Sequence, residues 1–217
     1  MIDVLVVAYH PDTVQFKALL EAVLRASTEG VPLTMRIWHN DGAVPTSGEM
    51  AGLYRDVQQR GLSLSVGGGE GNLGFGSGIN RMLRDTSARY VLALNQDAIP
   101  ETGALATLCS YAENDDTRVA AWEMRQIPFE HPKVYDAVHL DTEWVSGAAV
   151  LLRTSAMREV GGFEARIFMY GEDVDLSWRL RCAGYRLRYV AKAAVVHHTY
   201  SVAEEVKPLQ ALEGIYV

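Results

Sequence analysis

Ile2-Asp3-Val4-Leu5-Val6-Val7-Ala8-Tyr9, closed by His10-Pro11-Asp12, is a near-continuous apolar run that stops at a turn signal. A run of this length reads as a strand buried on both faces, which is the habit of parallel sheets covered by helices on either side. The next segments of the chain fit that reading. Residues 13 to about 26 carry Val14, Leu19 or Leu20, Val23 and Leu24 at helical period, and Leu33–His39 is a second strand ending at Asn40-Asp41-Gly42. A helix over about 47–60, a strand over 62–66, a glycine-rich segment over 67–78 leading into a short helix, and a strand at Tyr90–Leu94 continue the alternation. A helix over about 101–112 and a strand at 119–124 complete it. Alternating strands and helices predict an α/β domain with a mostly parallel central sheet flanked by helices.

The rhythm then breaks. Residues 125–143, with Pro128 and Pro132, read as an irregular excursion. A strand over 144–152, a short helix over 154–160, and strands over 185–190 and 193–198 close the chain. No repeat, low-complexity tract or linker divides it, so residues 1–217 are expected to form one domain, standing alone or as a module of a longer protein.

Composition narrows the function. The formal net charge of −7 speaks against nonspecific nucleic-acid binding. An acidic protein that holds an anionic ligand is usually helped by a divalent cation. Two cysteines without metal-ligand spacing, Cys109 and Cys182, suit a reducing compartment. Strand-like sequence from Ile2 leaves no room for a leader, and the apolar runs are too short to span a bilayer. The expectation is a cytoplasmic protein, with room for peripheral association at the inner face of the cell membrane.

In an open α/β sheet, ligands lie beyond the carboxyl ends of the strands. Tyr9, Asn40-Asp41, the glycine segment and Asn95-Gln96-Asp97 fall at such ends. Gly69-Glu70-Gly71-Asn72-Leu73-Gly74 matches a dinucleotide fingerprint, but a full βαβα stretch precedes it where the fingerprint normally opens the fold. The remaining reading is that these glycines let backbone N–H groups approach a ligand phosphate or base, against a plain surface loop. Asp97 suits a hard metal ion or a turn, and His197 or His198 could add an imidazole, only one of the two facing the site. Further on, Glu172, Asp173 and Asp175 open an amphipathic helix with Leu176, Leu180 and Ala183 on one stripe and Gly184 as its stop. Such acids either cap the helix or supply a positioned general base.

Taken together, these motifs resemble the family 2 inverting glycosyltransferases of the GT-A fold, in particular their rhamnosyltransferase-like branch. The resemblance rests on Val6-Val7-Ala8-Tyr9, Asn40-Asp41-Gly42, Gly71-Asn72-Leu73-Gly74-Phe75-Gly76 with Asn80, and Leu94-Asn95-Gln96-Asp97. It continues through Trp144-Val145-Ser146-Gly147-Ala148, Val160-Gly161-Gly162-Phe163 and residues 168–185. It implies a nucleotide-sugar donor, with rhamnose on thymidine diphosphate suggested by the branch, and a glycan or lipid-linked saccharide acceptor. Ala8, Tyr9, Asn40 and Asp41 would line the nucleoside pocket, and Asn72, Gly74, Phe75 and Asn80 would frame the nucleotide and its phosphates. Asn95-Gln96-Asp97 would stand for the metal motif, Asp97 and His197 holding Mg²⁺ or Mn²⁺. Asp173, flanked by Glu172 and Asp175, would be the catalytic base, and Trp144, Ser146 and Gly147 would border sugar and acceptor. The metal motif here has one acid rather than two, and Asn40 stands where many members carry an acid. Two rivals are a catalytically silent sugar-nucleotide-binding scaffold and a nucleotidyltransferase. The intact acids at 172–175 argue against the first, and the lack of Lys or Arg over 67–80 argues against the second.

Overall fold

A computed structural model describes residues 1–197. Strand β1 (Ile2–Ala8) is buried along its whole length and pairs in parallel with β2 (Leu33–His39) on one side and β4 (Tyr90–Leu94) on the other. Strand β3 (Leu64–Gly68) extends the parallel array beyond β2. It starts and ends two residues later than the sequence suggests, because Gly67 and Gly68 pair with Trp38 and His39 instead of joining the loop. A Cβ on Gly67 would fall 2.8 Å from the Trp38 ring, so only glycine fits beside it. The resulting order, β3-β2-β1-β4, changes direction between β1 and β4 and opens a crevice at their carboxyl ends.

Side-chain alternation along β1 divides the interior. Val4, Val6 and Ala8 join a core with Phe16, Leu19, Leu20 and Val23 of helix α1 (Thr13–Thr28), beside α2 (Gly48–Gln59). Leu5 and Val7 face the opposite core, which holds Ile79 and Met82 of α3 (Phe75–Leu83). Asp12 caps α1 by accepting the Gln15 N–H at 2.9 Å. The one acid inside β1, Asp3, is buried and accepts from Arg36 Nε at 2.6 Å and from the Thr86 hydroxyl.

The C-terminal half of the sheet is mixed. A short strand β5 (Ala98–Pro100), absent from the sequence reading, precedes α4 (Ala104–Asn114) and β6 (Val119–Ile127). Strand β8 (Ala149–Arg153) runs antiparallel to both β4 and β6, and α5 (Thr154–Glu159) comes next. The stretch expected as a strand over 144–152 is therefore strand only in its second half; residues 144–148 form a turn beside the crevice. Helix α6 (Glu172–Cys182) buries Leu176 and Leu180 and stops at Gly184, which has φ +84°. The two expected C-terminal strands are one, β9 (Arg186–His197), parallel to β6 with a register shift between Val190 and Ala194. The excursion after β6 returns through β7 (Asp141–Thr142), antiparallel to β9.

Trp122 of β6 is fully buried, meets Tyr90 edge-on with centroids 5.7 Å apart, and donates its indole N–H to Asp115 at 2.6 Å. Trp122→Ala should cost about 3–5 kcal/mol of stability through the cavity and the orphaned carboxylate, measurable as a lower urea midpoint at unchanged slope.

Candidate active site

The crevice holds a cavity of about 410 Å³. At its floor, the carboxyl ends of β1 and β4 are joined by a side chain. Gln96 accepts the Tyr9 N–H through Oε1 at 2.8 Å and returns Nε2–H to the Tyr9 carbonyl at 3.0 Å. Gln96 thereby does the work of one more ladder rung, while Tyr9 presents its ring to solvent and Ala8 is sealed in the core.

At the end of β2, Asn40 is 3% exposed and lines the cavity. Its Nδ2 donates to the Gly74 carbonyl at 3.0 Å, which fixes the amide, and its buried Oδ1 has no hydrogen-bond partner. A buried acceptor left unsatisfied is costly, and a ligand N–H or O–H donor would satisfy it. Asp41, expected beside it, does not line the cavity. It takes hydrogen bonds from the His39 ring at 3.0 Å and the His10 N–H at 3.2 Å, and His39 in turn meets the Tyr54 hydroxyl at 2.8 Å. Burial pulls the Asp41 carboxyl upward, but the bonds from His39 and His10 outweigh it and leave it below the ordinary value.

The glycine segment behaves differently from its sequence expectation. Gly74 has φ +81°, and a Cβ there would sit 2.1 Å from the Phe168 carbonyl oxygen. Close approach is required, but to the protein's own 168–171 segment. Asn72 accepts the Gly74 N–H at 3.0 Å and, with Phe75, lines the cavity. Asn80 lies away from it: Nδ2 donates to the Phe163 carbonyl at 2.7 Å and Oδ1 accepts the Phe163 N–H at 2.8 Å, so its amide is spent tying α3 to the Gly162 turn.

Asp97, in the turn after β4, and His197, at the end of β9, come together with Oδ1 and Nε2 3.4 Å apart. The His197 Nδ1 donates to Gln126 Oε1 at 2.8 Å, which places a proton on Nδ1 and leaves the Nε2 lone pair to accept from Asn95 Nδ2 at 3.3 Å on the side that faces Asp97. A carboxylate and an imidazole so oriented fit a divalent cation. Among the described residues no third His, Cys, Asp or Glu completes a set, so water and ligand oxygens would fill the remaining positions, as they commonly do around Mg²⁺. Residue 198, the alternative imidazole, lies outside the described residues.

Of the three acids at α6, Glu172 and Asp173 line the cavity. Asp173 accepts the Gly147 N–H on Oδ2 at 2.9 Å and the Val174 N–H on Oδ1 at 2.8 Å. The Ser177 hydroxyl bonds the Asp173 carbonyl at 2.6 Å and accepts the Val145 N–H, tying the helix start to the 144–147 turn. Asp175 is turned to a different task. It pairs with Arg179, four residues on, and that guanidinium also bonds the Val160 and Gly162 carbonyls at 2.7 and 2.8 Å. Trp144, Ser146, Gly147 and His131 also line the cavity.

The profile of glycosyl transferase family group 2 matches residues 87–210. The chain belongs to this family. A stretch of 135 residues is 33% identical to the pre-mycofactocin glycosyltransferase of Mycobacterium tuberculosis, covering 54% of this chain and 28% of that protein. Rhamnosyltransferase WbbL of Escherichia coli is 28% identical over 152 residues, 56% of this chain and 57% of that one. A 55-residue stretch is 54% identical to the N-acetylglucosaminyl-diphospho-decaprenol L-rhamnosyltransferase of M. tuberculosis, 25% of this chain and 18% of that one. The chain thus matches 18–57% of the length of these relatives.

Family membership agrees with the GT-A architecture of solved neighbours. The fold superposes on mannosyltransferase PcManGT of Pyrobaculum calidifontis, in complex with GDP-Man and Mn²⁺, with TM-score 0.71 at 14% identity, over 92% of this chain and 57% of that one. It superposes on GalNAc-T7, with UDP, GalNAc and Mn²⁺, with TM-score 0.75 at 10% identity, over 96% and 45% of the two chains.

Within this family frame, sequence reasoning missed Gln126 and His131, because both lie in or beside the excursion where no periodicity orders the residues. The local signal for Asp175 was legible: an acid four residues before an arginine on a helix is an ordinary surface pair. For Gly74 the expected outcome is structural. Gly74→Ala forces a side chain into a left-handed backbone and onto the Phe168 carbonyl, for a loss of about 1–3 kcal/mol or more, seen as a lower melting temperature and faster proteolysis over residues 168–171.

Proposed function

We propose that this chain is an inverting glycosyltransferase that moves a sugar from a nucleoside-diphosphate donor to a hydroxyl of a glycan or lipid-linked saccharide. The observation that carries the reading is the convergence on one cavity of three groups. Asp173 is held by two backbone N–H groups, Asp97 is paired with His197, and the buried Asn40 offers an unsatisfied acceptor. The rhamnosyltransferases among its relatives favour rhamnose as the sugar, and thymidine diphosphate as its carrier is the expectation of the family resemblance. Among the described residues no helix is long and apolar enough to cross a membrane.

In this reading Asn40 Oδ1 accepts a donor group of the nucleoside, and Tyr9 and Phe75 flank it. Asp173 takes the proton of the acceptor hydroxyl as that oxygen forms its bond to the anomeric carbon and the bond to the diphosphate breaks. The configuration inverts because attack and departure lie on opposite sides. The Gly147 and Val174 N–H groups orient the Asp173 carboxylate for this transfer. A divalent ion on Asp97 and His197 would neutralise charge on the departing diphosphate. Gln126 keeps the His197 proton on Nδ1, so that the other nitrogen faces Asp97.

Asp173→Asn should keep nucleoside-diphosphate affinity while transfer falls about 10²–10⁴-fold, the usual weight of a general base. Wild-type transfer by Asp173→Asn, with an inactive Asp175→Asn, would assign the base to the wrong acid. Asp97→Ala should weaken dTDP or UDP binding in Mn²⁺ by calorimetry and remove its dependence on the ion, with His197→Ala acting in the same direction more weakly. Full turnover of the wild-type protein in EDTA would retire the metal assignment.

A further inference from the structure

Behind the wall formed by His131 and Trp144 lies an ion pair to which the proposed chemistry gives no task. Lys133 Nζ is 2.6 Å from each carboxylate oxygen of Glu123, and the two side chains are 2% and 3% exposed. Burial pushes the Glu123 carboxyl up and the Lys133 ammonium down, each against the pull of its partner's charge, so both groups are held in an environment hostile to them. Desolvating such a pair takes about as much free energy as its attraction returns, and well-packed apolar residues often serve stability equally well. A stability role is therefore a weak account of it.

What the pair touches suggests a stronger one. Glu123 sits on β6, and the Ser146 backbone N–H favours the charged form of its carboxyl; the next residue, Gly147, gives its N–H to Asp173 at 2.9 Å. Lys133 comes from the excursion and lies 3.8 Å from the centre of the Trp144 ring, which the His131 ring approaches at 5.6 Å. The excursion is fastened a second time by Glu130, which accepts the Gln126 N–H at 3.1 Å and the Tyr189 hydroxyl at 2.6 Å. One ion pair thus fastens the excursion to β6 and seats its cation on the Trp144 ring, where the 144–147 turn begins.

We propose that Glu123 and Lys133 are positioning residues for transfer: together they hold the 144–147 turn and the 131–133 segment in one arrangement, so that the Gly147 N–H aims Asp173 and the Trp144–His131 wall stays set for the acceptor. This rests on the reading of Asp173 as the base. Neither residue exchanges a proton with substrate. They act through a cation held against a ring face and the carboxylate that fixes that cation, which a pair of apolar residues could not reproduce however well it packed.

The test uses the full chain and the double variant Glu123→Met/Lys133→Met, which removes both charges together and leaves neither unpaired. Its melting temperature and its affinity for dTDP or UDP in Mn²⁺ are expected to match the wild type, while kcat for sugar transfer falls tenfold or more at unchanged donor KM. Should the double variant fail to fold, Glu123→Gln decides, since it keeps the side-chain shape and one acceptor oxygen; the expectation is again a tenfold or greater fall in kcat at unchanged nucleotide affinity. Wild-type kcat in whichever variant folds overturns the proposal, and so does a parallel loss of nucleotide affinity, which would make the pair a general strut. Asp173→Asn is measured alongside. Wild-type transfer by that variant overturns the base assignment, whereas an inactive Asp173→Asn beside a fully active double variant overturns this inference alone.

Discussion

The parallel pairing of β1 with β2 on one side and β4 on the other is the constraint on which the rest depends. Because the chain steps from β1 through β2 to β3 on one side and then crosses back to β4 on the other, the connections part above the carboxyl ends of β1 and β4 and leave a crevice there. Backbone groups there lack ladder partners and must find others. Gln96 supplies them for Tyr9, and Asn40 reaches across to Gly74. The floor of the cavity is therefore a set of amides doing the work of strand continuation, and one of them, Asn40, is left with an acceptor to spare.

The site draws on two regions of different character. The nucleotide side comes from the parallel half, where residues follow directly from strand ends. The opposite side comes from the mixed half, where β8 reverses direction and the 144–147 turn before it meets the start of α6. Asp173 belongs to both: its helix is anchored in the second core by Leu176 and Leu180, and its carboxylate is aimed by a backbone group of the turn. Placement of that acid is a property of the packed core as much as of the loop that carries it.

Legibility from sequence followed this division. Strands β2 and β4 were readable to the residue, and β1 nearly so, because a continuous apolar run bounded by turn residues has few alternative structures. Chemical type was readable at the site as well, and Asn40, Asp97, Asp173 and His197 do meet at one cavity. Partnership was not. Asn80 and Asp175 have the right chemistry and are consumed by Phe163 and Arg179, and the demand on Gly74 comes from a carbonyl 94 residues away in sequence. The excursion was least legible, since its order derives from single side chains, Glu130 and Lys133, seated on the β6 strand just before it and on the distant β9.

The register shift in β9 has a consequence of parity. Val190 and Val195 both enter the same core, although they are five residues apart and would point to opposite faces in an unbroken strand. The odd number of residues absorbed between the paired positions 190 and 194 restores the phase, and His197, two beyond Val195, inherits it. The strand thus carries a frame in the sense that a reading frame does: loss or gain of a single residue at 191–193 would leave the sheet paired and the core apolar, yet turn the imidazole away from Asp97. The meeting of those two side chains is set by counting, several residues before either of them.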